Sequence, residues 1–310
     1  MILKPLITIM REDRILVTGG TGMVGKHLQD LIPKATFVGS KDYSLTNIFA
    51  VQAMFNDIEP DCVIHLAAKV GGIQDNIANP LAFLEDNLVM NTNVVKTAND
   101  RGVNRFIGIL STCIYPDRLE DDQYPMTEDL LHAGPPTPTN FGYGYAKRML
   151  GVHLDTIRNS TDKDYFSIIP SNLYSEYDHF GDDTKMHFVT ALLKKIKNSK
   201  NGIVPLFGTG SPLRQFIHAE DLAKIIAKCA LSDKDTKTNF NVCCDDTPMI
   251  MEIAEEGLKA AGRDLELQFD PTKPDGQYRK DCDNSKMREL FPDFKFLSLE
   301  DGLRRVYNKL

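Results

Sequence analysis

Short runs of apolar and β-branched residues alternate with longer amphipathic segments along the first half of the chain. The short runs lie at 14–18, 36–38, 61–67, 105–110 and 165–170 and are apolar at nearly every position. Strands of a parallel sheet that is buried on both faces have this composition. The intervening segments predict helices at 23–32, 47–58, 80–101 and 141–159. Repeated βα units predict an α/β fold with a doubly wound parallel sheet, the Rossmann arrangement, which binds ligands at the carboxyl ends of its strands.

The regular alternation ends near residue 172. A polar loop at 175–185 precedes further predicted elements, which are helices at 187–199 and 219–232 and strands at 203–207, 214–217, 238–243 and 265–269. This pattern predicts a smaller, discontinuous C-terminal lobe that binds the substrate. We expect the chain to divide into an N-terminal extension at 1–13, a main domain at 14–174 to which 214–243 return, and a lobe formed mainly by 175–213 and 244–310.

A glycine-rich loop joins the first predicted strand to the first predicted helix. It comprises Gly19, Gly20, Thr21, Gly22, Met23, Val24 and Gly25. In dinucleotide-binding folds the first glycine of such a loop allows a tight turn, the second lets the backbone approach a pyrophosphate, and the third allows helix and strand to pack closely. The N–H groups at the helix N-terminus then bind the phosphates. The loop therefore predicts a dinucleotide site.

The residues after the second predicted strand discriminate between NAD and NADP. An acidic residue at this position binds the 2′-hydroxyl of NAD, whereas this chain has Ser40 and Lys41. A hydroxyl donor and a cation suit the 2′-phosphate of NADP. Asp42 is the alternative, because a shift in register would make it an NAD-type carboxylate. We expect NADP(H).

Tyr143 and Lys147 lie on one face of the helix predicted at 141–159, because they are separated by one helical turn. A tyrosine with its ordinary pKa of about 10 is a poor acid–base catalyst at neutral pH. A nearby ammonium and the oxidised nicotinamide would favour the phenolate and bring the pKa of the tyrosine into the working range. Such pairs are common by chance, so the interpretation depends on position. Ser111 and Cys113 follow the fourth predicted strand, where Ser111 could bind a substrate carbonyl and Cys113 could be either a small buried residue or a base.

Composition narrows the possible partners. The chain has a formal net charge of −7, and a nucleic-acid-binding protein needs a basic face, so we expect no nucleic-acid partner. The six cysteines lack the paired spacing of a zinc site. No apolar run approaches the about 20 residues that a membrane span needs. We therefore expect no metal, no membrane association and a reduced, cytoplasmic protein.

Together these motifs resemble the GDP-L-fucose synthase family of the extended short-chain dehydrogenases/reductases. The likeness runs from residue 14 to near the C-terminus. Its motifs are GGTGMVG (19–25), HLAAKVGG (65–72), STCIYP (111–116), YGYAK (143–147), PSNLY (170–174), HFVTALLKK (187–195), FGTGSPLRQFIH (207–218) and KPDGQYRK (273–280). The glycine and tyrosine motifs occur throughout the superfamily, whereas the Ser-Thr-Cys stretch, His187 and KPDG together are specific to a much smaller group of proteins.

The resemblance implies an enzyme that epimerises C3 and C5 of a GDP-4-keto-6-deoxy-D-mannose and then reduces C4 with hydride from NADPH. Cys113 would be the epimerisation base and His187 the acid. Tyr143 would donate the proton at the C4 oxygen. Lys147 would adjust the pKa of Tyr143, and Ser111 would position the carbonyl. A ketone at C4 acidifies the protons on C3 and C5, because the carbanion is delocalised as an enolate. Ser111 and Tyr143 can therefore stabilise the oxyanion in every step.

The resemblance also implies the ligand contacts. Besides the glycine loop, Ser40, Lys41, Tyr143 and Lys147, the cofactor would contact Leu66, Ala67, Ala68, Pro170, Asn172, Leu173 and His187. The GDP-sugar would contact Asn172, Lys195, Phe207, Arg214 and Asp275. Lys195 and Arg214 suit a diphosphate. A homodimer through the helices at 80–101 and 141–159 is a further expectation.

Three features depart from the family pattern. Phe207 stands where the family often has tryptophan. Ser175, Glu176 and Tyr177 replace a common turn that contains Gly-Pro, which leaves the placement of His187 open. Residues 1–13 extend beyond the usual start.

Two other classes of function remain as alternatives. Other nucleotide-sugar epimerases or dehydratases of the superfamily share the sheet and the tyrosine motif, but a dehydratase typically has an acidic pair where this chain has Cys113 and Ile114. A simple 4-epimerase would not need both Cys113 and His187. A non-catalytic NADP(H) sensor usually lacks the Tyr–Lys pair, which this chain retains.

Overall fold

A six-stranded parallel sheet lies at the centre of the protein in the computed structural model. The structure describes residues 11–178, 180–181, 186–273 and 275–310, without the side chains of residues 73 and 74. In chain order the strands are β1 (Ile15–Thr18), β2 (Thr36–Val38), β3 (Cys62–His65), β4 (Arg105–Ile109), β5 (Asp164–Pro170), β6 (Asn172–Tyr174), β7 (Ile203–Phe207), β8 (Phe216–His218), β9 (Phe240–Val242) and β10 (Glu266–Asp270). The main sheet has the order β2-β1-β3-β4-β5-β9 with parallel pairing throughout. The predicted doubly wound parallel sheet is confirmed. Most of the predicted N-terminal extension, residues 1–10, lies outside the described residues.

Helices cover both faces of this sheet. The helices are α1 (Met23–Leu31), α2 (Ile48–Ile58), α3 (Ile73–Ala78), α4 (Pro80–Asp100), α5 (Phe141–Ser160), α6 (Phe188–Asn198), α7 (Ala219–Leu231), α8 (Ile250–Ala261), α9 (Ser285–Leu290) and α10 (Leu299–Lys309). Successive strand residues point to opposite faces. Ile15 and Val17 of β1 accordingly pack with α1 and α7, and Leu16 between them packs with α2, α4 and α5. This two-sided burial explains why the strands are apolar at nearly every position.

The strand order places a crevice above the carboxyl ends of β1 and β3. The chain runs from β1 outward to β2 and then crosses back to β3 on the other side of β1. Connections on opposite sides of the sheet diverge at such a switch point and leave a crevice in which ligands bind. Gly19 follows β1 and Leu66 follows β3 at this point.

A smaller lobe is built around a separate apolar cluster. Its sheet pairs β7 with β10, and α6, α8 and α10 pack into the same cluster through residues such as Leu193, Ala254 and Leu303. A second small sheet pairs β6 with β8. After β8, the chain returns through α7 to β9 at the edge of the main sheet. The exact division into domains stays a prediction.

The long predicted helices agree with the observed ones to within two residues at either end. The predicted strand at 214–217 is displaced, since β8 occupies Phe216–His218, and α3 and β6 lack counterparts among the predicted elements. These elements have only three to six residues, too few for a periodic pattern. In the part of the chain that the structure describes, no helix combines the length and apolar character that a bilayer crossing requires.

Candidate active site

A cavity of about 2120 Å³ opens at the carboxyl ends of the central strands. Single small-molecule sites usually have volumes up to about 1,000 Å³, so this cavity has room for a dinucleotide and a second ligand. Its lining includes every site residue predicted from the sequence except Gly20 and Lys41. The two lobes thus bring residues from 19 to 275 together around one space.

The glycine loop forms a strand–turn–helix junction at one end of the cavity. Gly19 has a φ of +72°, and a Cβ at this position would lie 2.7 Å from the backbone nitrogen of Ala67. A Cβ on Gly25 would lie 2.4 Å from the carbonyl oxygen of Gly20. No side chain caps the first turn of α1, and no acidic residue lies in it. This uncapped helix N-terminus is suited to an anion such as a pyrophosphate.

Gly39, at the end of β2, lets the chain pass close to the glycine loop. A Cβ on Gly39 would lie 2.9 Å from Oγ1 of Thr21. Asp42 Oδ2 accepts a hydrogen bond from the Gly39 N–H at 2.7 Å, so the Asp42 carboxylate closes the turn. Ser40 lines the cavity, whereas Lys41 is exposed and outside the lining. The structure therefore brings Ser40 but not Lys41 to the site.

Ser111, Tyr143 and Lys147 converge from β4 and α5. The Ser111 hydroxyl lies close enough to the phenol of Tyr143 to lower the pKa of the phenol. The buried ammonium of Lys147 donates to the carbonyl oxygen of Ile109 at 2.7 Å. Burial lowers the pKa of Lys147 to about 8.

The residues around Tyr143 raise its pKa, so the protein alone does not favour the phenolate. Burial is the largest cause, the neighbouring Cys113 adds to it, and the Ser111 hydrogen bond opposes both. Lys147 donates its hydrogen bond to the carbonyl of Ile109 and not to the phenol. Burial therefore determines the direction in which the pKa of Tyr143 changes. A protonated phenol suits a proton donor, which is the role that ketone reduction needs.

Cys113 is half-buried and has two nitrogen donors at its sulfur. Asn140 Nδ2 lies 3.6 Å from Cys113 Sγ, and Lys280 Nζ lies 3.5 Å from the same atom. Cys113 and Lys280 both line the cavity. A partly exposed cysteine beside an ammonium is the environment in which thiolates act as bases or nucleophiles.

His187 lies at the N-cap of α6 and lines the cavity from the second lobe. Its Nδ1 is 3.0 Å from Oδ1 of Asp178. This hydrogen bond raises the pKa of His187, against the effect of burial. The structure thus places His187 beside the cavity despite the unusual turn before it.

The segment after β5 holds an unpaired buried hydroxyl. Pro170, Ser171, Asn172 and Leu173 line the cavity. The Ser171 Oγ is buried and has no hydrogen-bond partner among the described residues. Buried polar groups are normally satisfied, so this hydroxyl indicates a site for a polar ligand group such as a carboxamide. The residues present therefore fit a nicotinamide dinucleotide that runs from the glycine loop to Ser171.

Two cations, Lys195 and Arg214, also line the cavity. Lys195 Nζ donates to the Pro205 carbonyl at 2.9 Å and lies 5.2 Å from the ring centre of Phe207. Arg214 donates to the carbonyl oxygens of Leu213 and Gln277. Among the residues that the structure describes, neither cation forms an ion pair with a carboxylate. Both are available to a diphosphate.

Asp275 is already engaged within the protein. Its carboxylate accepts from the Thr209 N–H at 2.6 Å and from the Thr209 hydroxyl at 2.9 Å. Asp275 still lines the cavity, and a carboxylate has lone pairs for further donors. A sugar or ribose hydroxyl would therefore share this side chain with Thr209.

Among the described residues, one group has the geometry to hold a metal ion. It consists of His27, Glu176 and His218, whose ligand-type atoms all lie within 4.8 Å of one another. His218 Nε2 lies 2.9 Å from Glu176 Oε2. The Nδ1 of His218 accepts the Glu220 N–H at 3.3 Å, so in neutral His218 the ring proton is on Nε2 and points to Glu176. Glu176 and His218 thus satisfy each other as hydrogen-bond partners.

Four residues at the site were given no individual role from the sequence: Asn140, Ser171, Asp178 and Lys280. Lys280 belongs to the KPDGQYRK stretch, and Ser171 to PSNLY, so the motifs contained a signal for both. Asp178 directly follows the three residues that depart from the family pattern, and it was assigned no role from the sequence.

Comparisons with known proteins agree with this geometry. A family model described as the NAD dependent epimerase/dehydratase family matches residues 15–243. A probable GDP-L-fucose synthase of Drosophila melanogaster is 38% identical over 309 residues, with 94% of each chain covered. GDP-L-fucose synthase of Dictyostelium discoideum is 33% identical, with 94% of this chain and 92% of that one covered.

Solved structures of a GDP-L-fucose synthetase from Naegleria fowleri are also similar. One has a TM-score of 0.86 at 33% identity and covers 99% of this chain and 95% of that one. The other, bound to NADP, has a TM-score of 0.82 at 33% identity and covers 95% and 92%. This chain belongs to the NAD dependent epimerase/dehydratase family, in the branch that the GDP-L-fucose synthases represent.

Proposed function

We propose that this protein converts GDP-4-keto-6-deoxy-D-mannose into GDP-L-fucose, as a 3,5-epimerase and NADPH-dependent 4-reductase. The observation that carries the proposal is that Cys113 and His187 line the same cavity as Ser111, Tyr143 and Lys147. A simple reductase needs only the last three, since it neither removes nor adds a proton at carbon. The names of the relatives support the same reaction.

The cofactor that we propose is NADP(H), which supplies the hydride for C4 when it is bound. The uncapped N-terminus of α1 would bind its pyrophosphate, Ser40 would contact the 2′-phosphate, and Ser171 would bind the carboxamide. The NADP-bound relative supports this choice. The side chain of Asp42 is held in the turn by Gly39, which argues against an NAD-type role for its carboxylate.

Epimerisation uses the ketone at C4 as an electron sink. Cys113 as thiolate removes the proton from C3 or C5, and the electron pair of the C–H bond moves into an enolate whose oxygen accepts from Ser111 and Tyr143. His187 then donates its Nε2 proton to the opposite face of the carbon. Each cycle leaves Cys113 protonated and His187 neutral, so both must exchange a proton with solvent before the next cycle. The mechanism therefore introduces solvent hydrogen at both carbons.

Reduction completes the reaction in the same cavity. As C4 receives hydride, its oxygen becomes an alkoxide, and Tyr143 donates the proton that neutralises it. The raised pKa of Tyr143 keeps the phenol protonated for this step. Lys147, whose pKa burial lowers to about 8, lies one turn along α5 and can help restore the proton to Tyr143.

The direct test is a reaction in deuterated water with NADPH and GDP-4-keto-6-deoxy-D-mannose. We expect loss of absorbance at 340 nm together with a GDP-L-fucose product that carries deuterium at C3 and C5. Retention of the mannose-type configuration with NADPH oxidation would indicate a simple 4-reductase. Absence of NADPH oxidation with this substrate would contradict the proposal.

We also propose a homodimer that forms through α4 and α5. The two helices pack against each other on one face of the sheet, and they expose Leu81, Val89, Phe141 and Met149. Apolar side chains grouped on neighbouring helices are typical of a protein interface. The double variant Val89→Glu/Met149→Glu should sediment as a monomer, whereas the wild type and the control Phe49→Glu, altered at an exposed residue of α2, should sediment as dimers. A monomeric wild type would rule out this proposal.

A further inference from the structure

Asp178 places a buried carboxylate directly behind His187. The Asp178 side chain is 2% exposed, and its Oδ1 and Oδ2 lie 3.0 Å and 3.2 Å from Nδ1 of His187. The hydroxyl of Thr190, in the first turn of α6, donates to Oδ2 at 2.5 Å. His187 itself is 42% exposed and lines the cavity. The pair thus has one end in the protein interior and the other at the candidate active site.

The surroundings of His187 would otherwise disfavour a cationic imidazole. His187 is the N-cap residue of α6, and the N-terminus of a helix carries a partial positive charge that repels cations. Burial also lowers the pKa of His187, yet the hydrogen bond to the Asp178 carboxylate outweighs it and the pKa is raised. A buried carboxylate in turn needs a charged or hydrogen-bonding partner to offset its lost hydration. Each group of the pair therefore stabilises the ionised form of the other.

The segment that carries Asp178 is fixed to the cofactor domain. The Asp178 N–H donates to the Ser175 carbonyl at 3.1 Å. Glu176 lies 2.9 Å from His218 Nε2, at the N-terminus of α7, and 3.9 Å from Nε2 of His27 in α1. The Tyr177 ring packs 4.9 Å from the His27 ring. Asp178 is therefore attached to the same helix whose N-terminus faces the proposed cofactor phosphates.

We propose that Asp178 is a positioning residue for His187. The Asp178 carboxylate accepts the Nδ1–H hydrogen bond of His187 and so orients the imidazole. It also holds the imidazole protonated, so that Nε2 donates its proton to the substrate carbon. This inference rests on the proposed function, within which His187 is the epimerisation acid. In each epimerisation the Nε2–H bond breaks, a C–H bond forms at C3 or C5, and His187 regains a proton from solvent. Asp178 stays ionised throughout and exchanges no proton.

The test compares two reactions of one variant, Asp178→Asn. The forward reaction includes both epimerisations, whereas oxidation of GDP-L-fucose by NADP⁺ needs hydride transfer but no proton transfer at carbon. Loss of an opposite charge at hydrogen-bond distance changes the ratio of protonated to neutral histidine by about tenfold or more. We expect forward turnover and deuterium incorporation to fall about tenfold, while the initial rate of GDP-L-fucose oxidation changes by less than about twofold. Equal losses in both directions, or no loss in either, would overturn the inference.

Glu176→Gln is the matched control. It removes another histidine-paired carboxylate from the same segment, but neither His27 nor His218 lines the cavity. We expect deuterium incorporation to remain close to that of the wild type. If Glu176→Gln slows it as much as Asp178→Asn does, the loss reflects loosening of the segment and Asp178 has no specific positioning role.

A spectroscopic measurement separates this inference from the proposed function. Nitrogen-15 NMR of the histidine rings at neutral pH, with the His187 signal assigned from its absence in His187→Gln, should show both ring nitrogens protonated in the wild type. The signal should shift towards neutral imidazole in Asp178→Asn. If the wild type fails to turn over the GDP-sugar but this change is seen, the proposed function fails while the pairing stands. An unchanged His187 signal in Asp178→Asn would refute the pairing.

Discussion

Replacing Tyr143 by phenylalanine is expected to slow NADPH oxidation with the GDP-keto-sugar about a thousandfold, in the middle of the range for loss of a general acid. Without the phenol, the alkoxide that forms at C4 has no proton donor, and Ser111 remains as its hydrogen-bond partner. The change removes one oxygen atom and leaves the ring in place. NADPH binding, measured by the fluorescence of the bound cofactor, should therefore change by only a few-fold.

Deuterium incorporation into the substrate distinguishes the two roles of Tyr143. Because Cys113 and His187 transfer the protons at carbon, exchange at C3 and C5 should continue in Tyr143→Phe, at a rate reduced by the loss of one oxyanion donor. Tyr145→Phe is the control, because Tyr145 lies on the same helix, packs 4.7 Å from the Phe141 ring and is outside the cavity lining. Turnover by Tyr143→Phe at more than about a tenth of the wild-type rate would exclude the phenol as the acid.

The central sheet could be predicted from the sequence because local composition determines it. Strands such as β4 and β5 are buried on both faces, so they appear as runs that are apolar at nearly every position. Helices α4 and α5 have 21 and 20 residues, long enough for the helical period to be evident. The glycine loop could also be predicted, because a side chain at Gly19 or Gly25 would clash with the neighbouring backbone.

The contacts that adjust the catalytic groups could not be predicted in the same way. Lys280 approaches Cys113 across 167 residues of sequence, and only the packing of the second lobe against the main sheet brings them together. Asp178 is nine residues from His187, but it follows directly on three residues that depart from the family pattern. The raised pKa of Tyr143 follows from its burial, which depends on the complete fold and cannot be predicted from the local Tyr–Lys spacing.

Replacing Cys113 by serine is expected to suppress solvent-deuterium incorporation at C3 and C5 about a thousandfold or more. A serine hydroxyl at this position would occupy nearly the same volume, but it does not ionise near neutral pH and so cannot accept the carbon proton. Oxidation of GDP-L-fucose by NADP⁺ should persist within a few-fold, since Ser111, Tyr143 and Lys147 are unchanged. The result would separate epimerisation from reduction within one cavity.

Cys244→Ser provides the control for this substitution. Cys244 is also partly buried, but its sulfur contacts the backbone carbonyls of Phe216 and Asp246 and it does not line the cavity. We expect this variant to incorporate deuterium at the wild-type rate. Lys280 and Asn140 both direct donors at the Cys113 sulfur, whereas the described contacts of the Cys244 sulfur are with backbone carbonyls. Wild-type deuterium incorporation by Cys113→Ser would mean that another group removes the carbon proton and that the two donors serve only to hold the thiol in place.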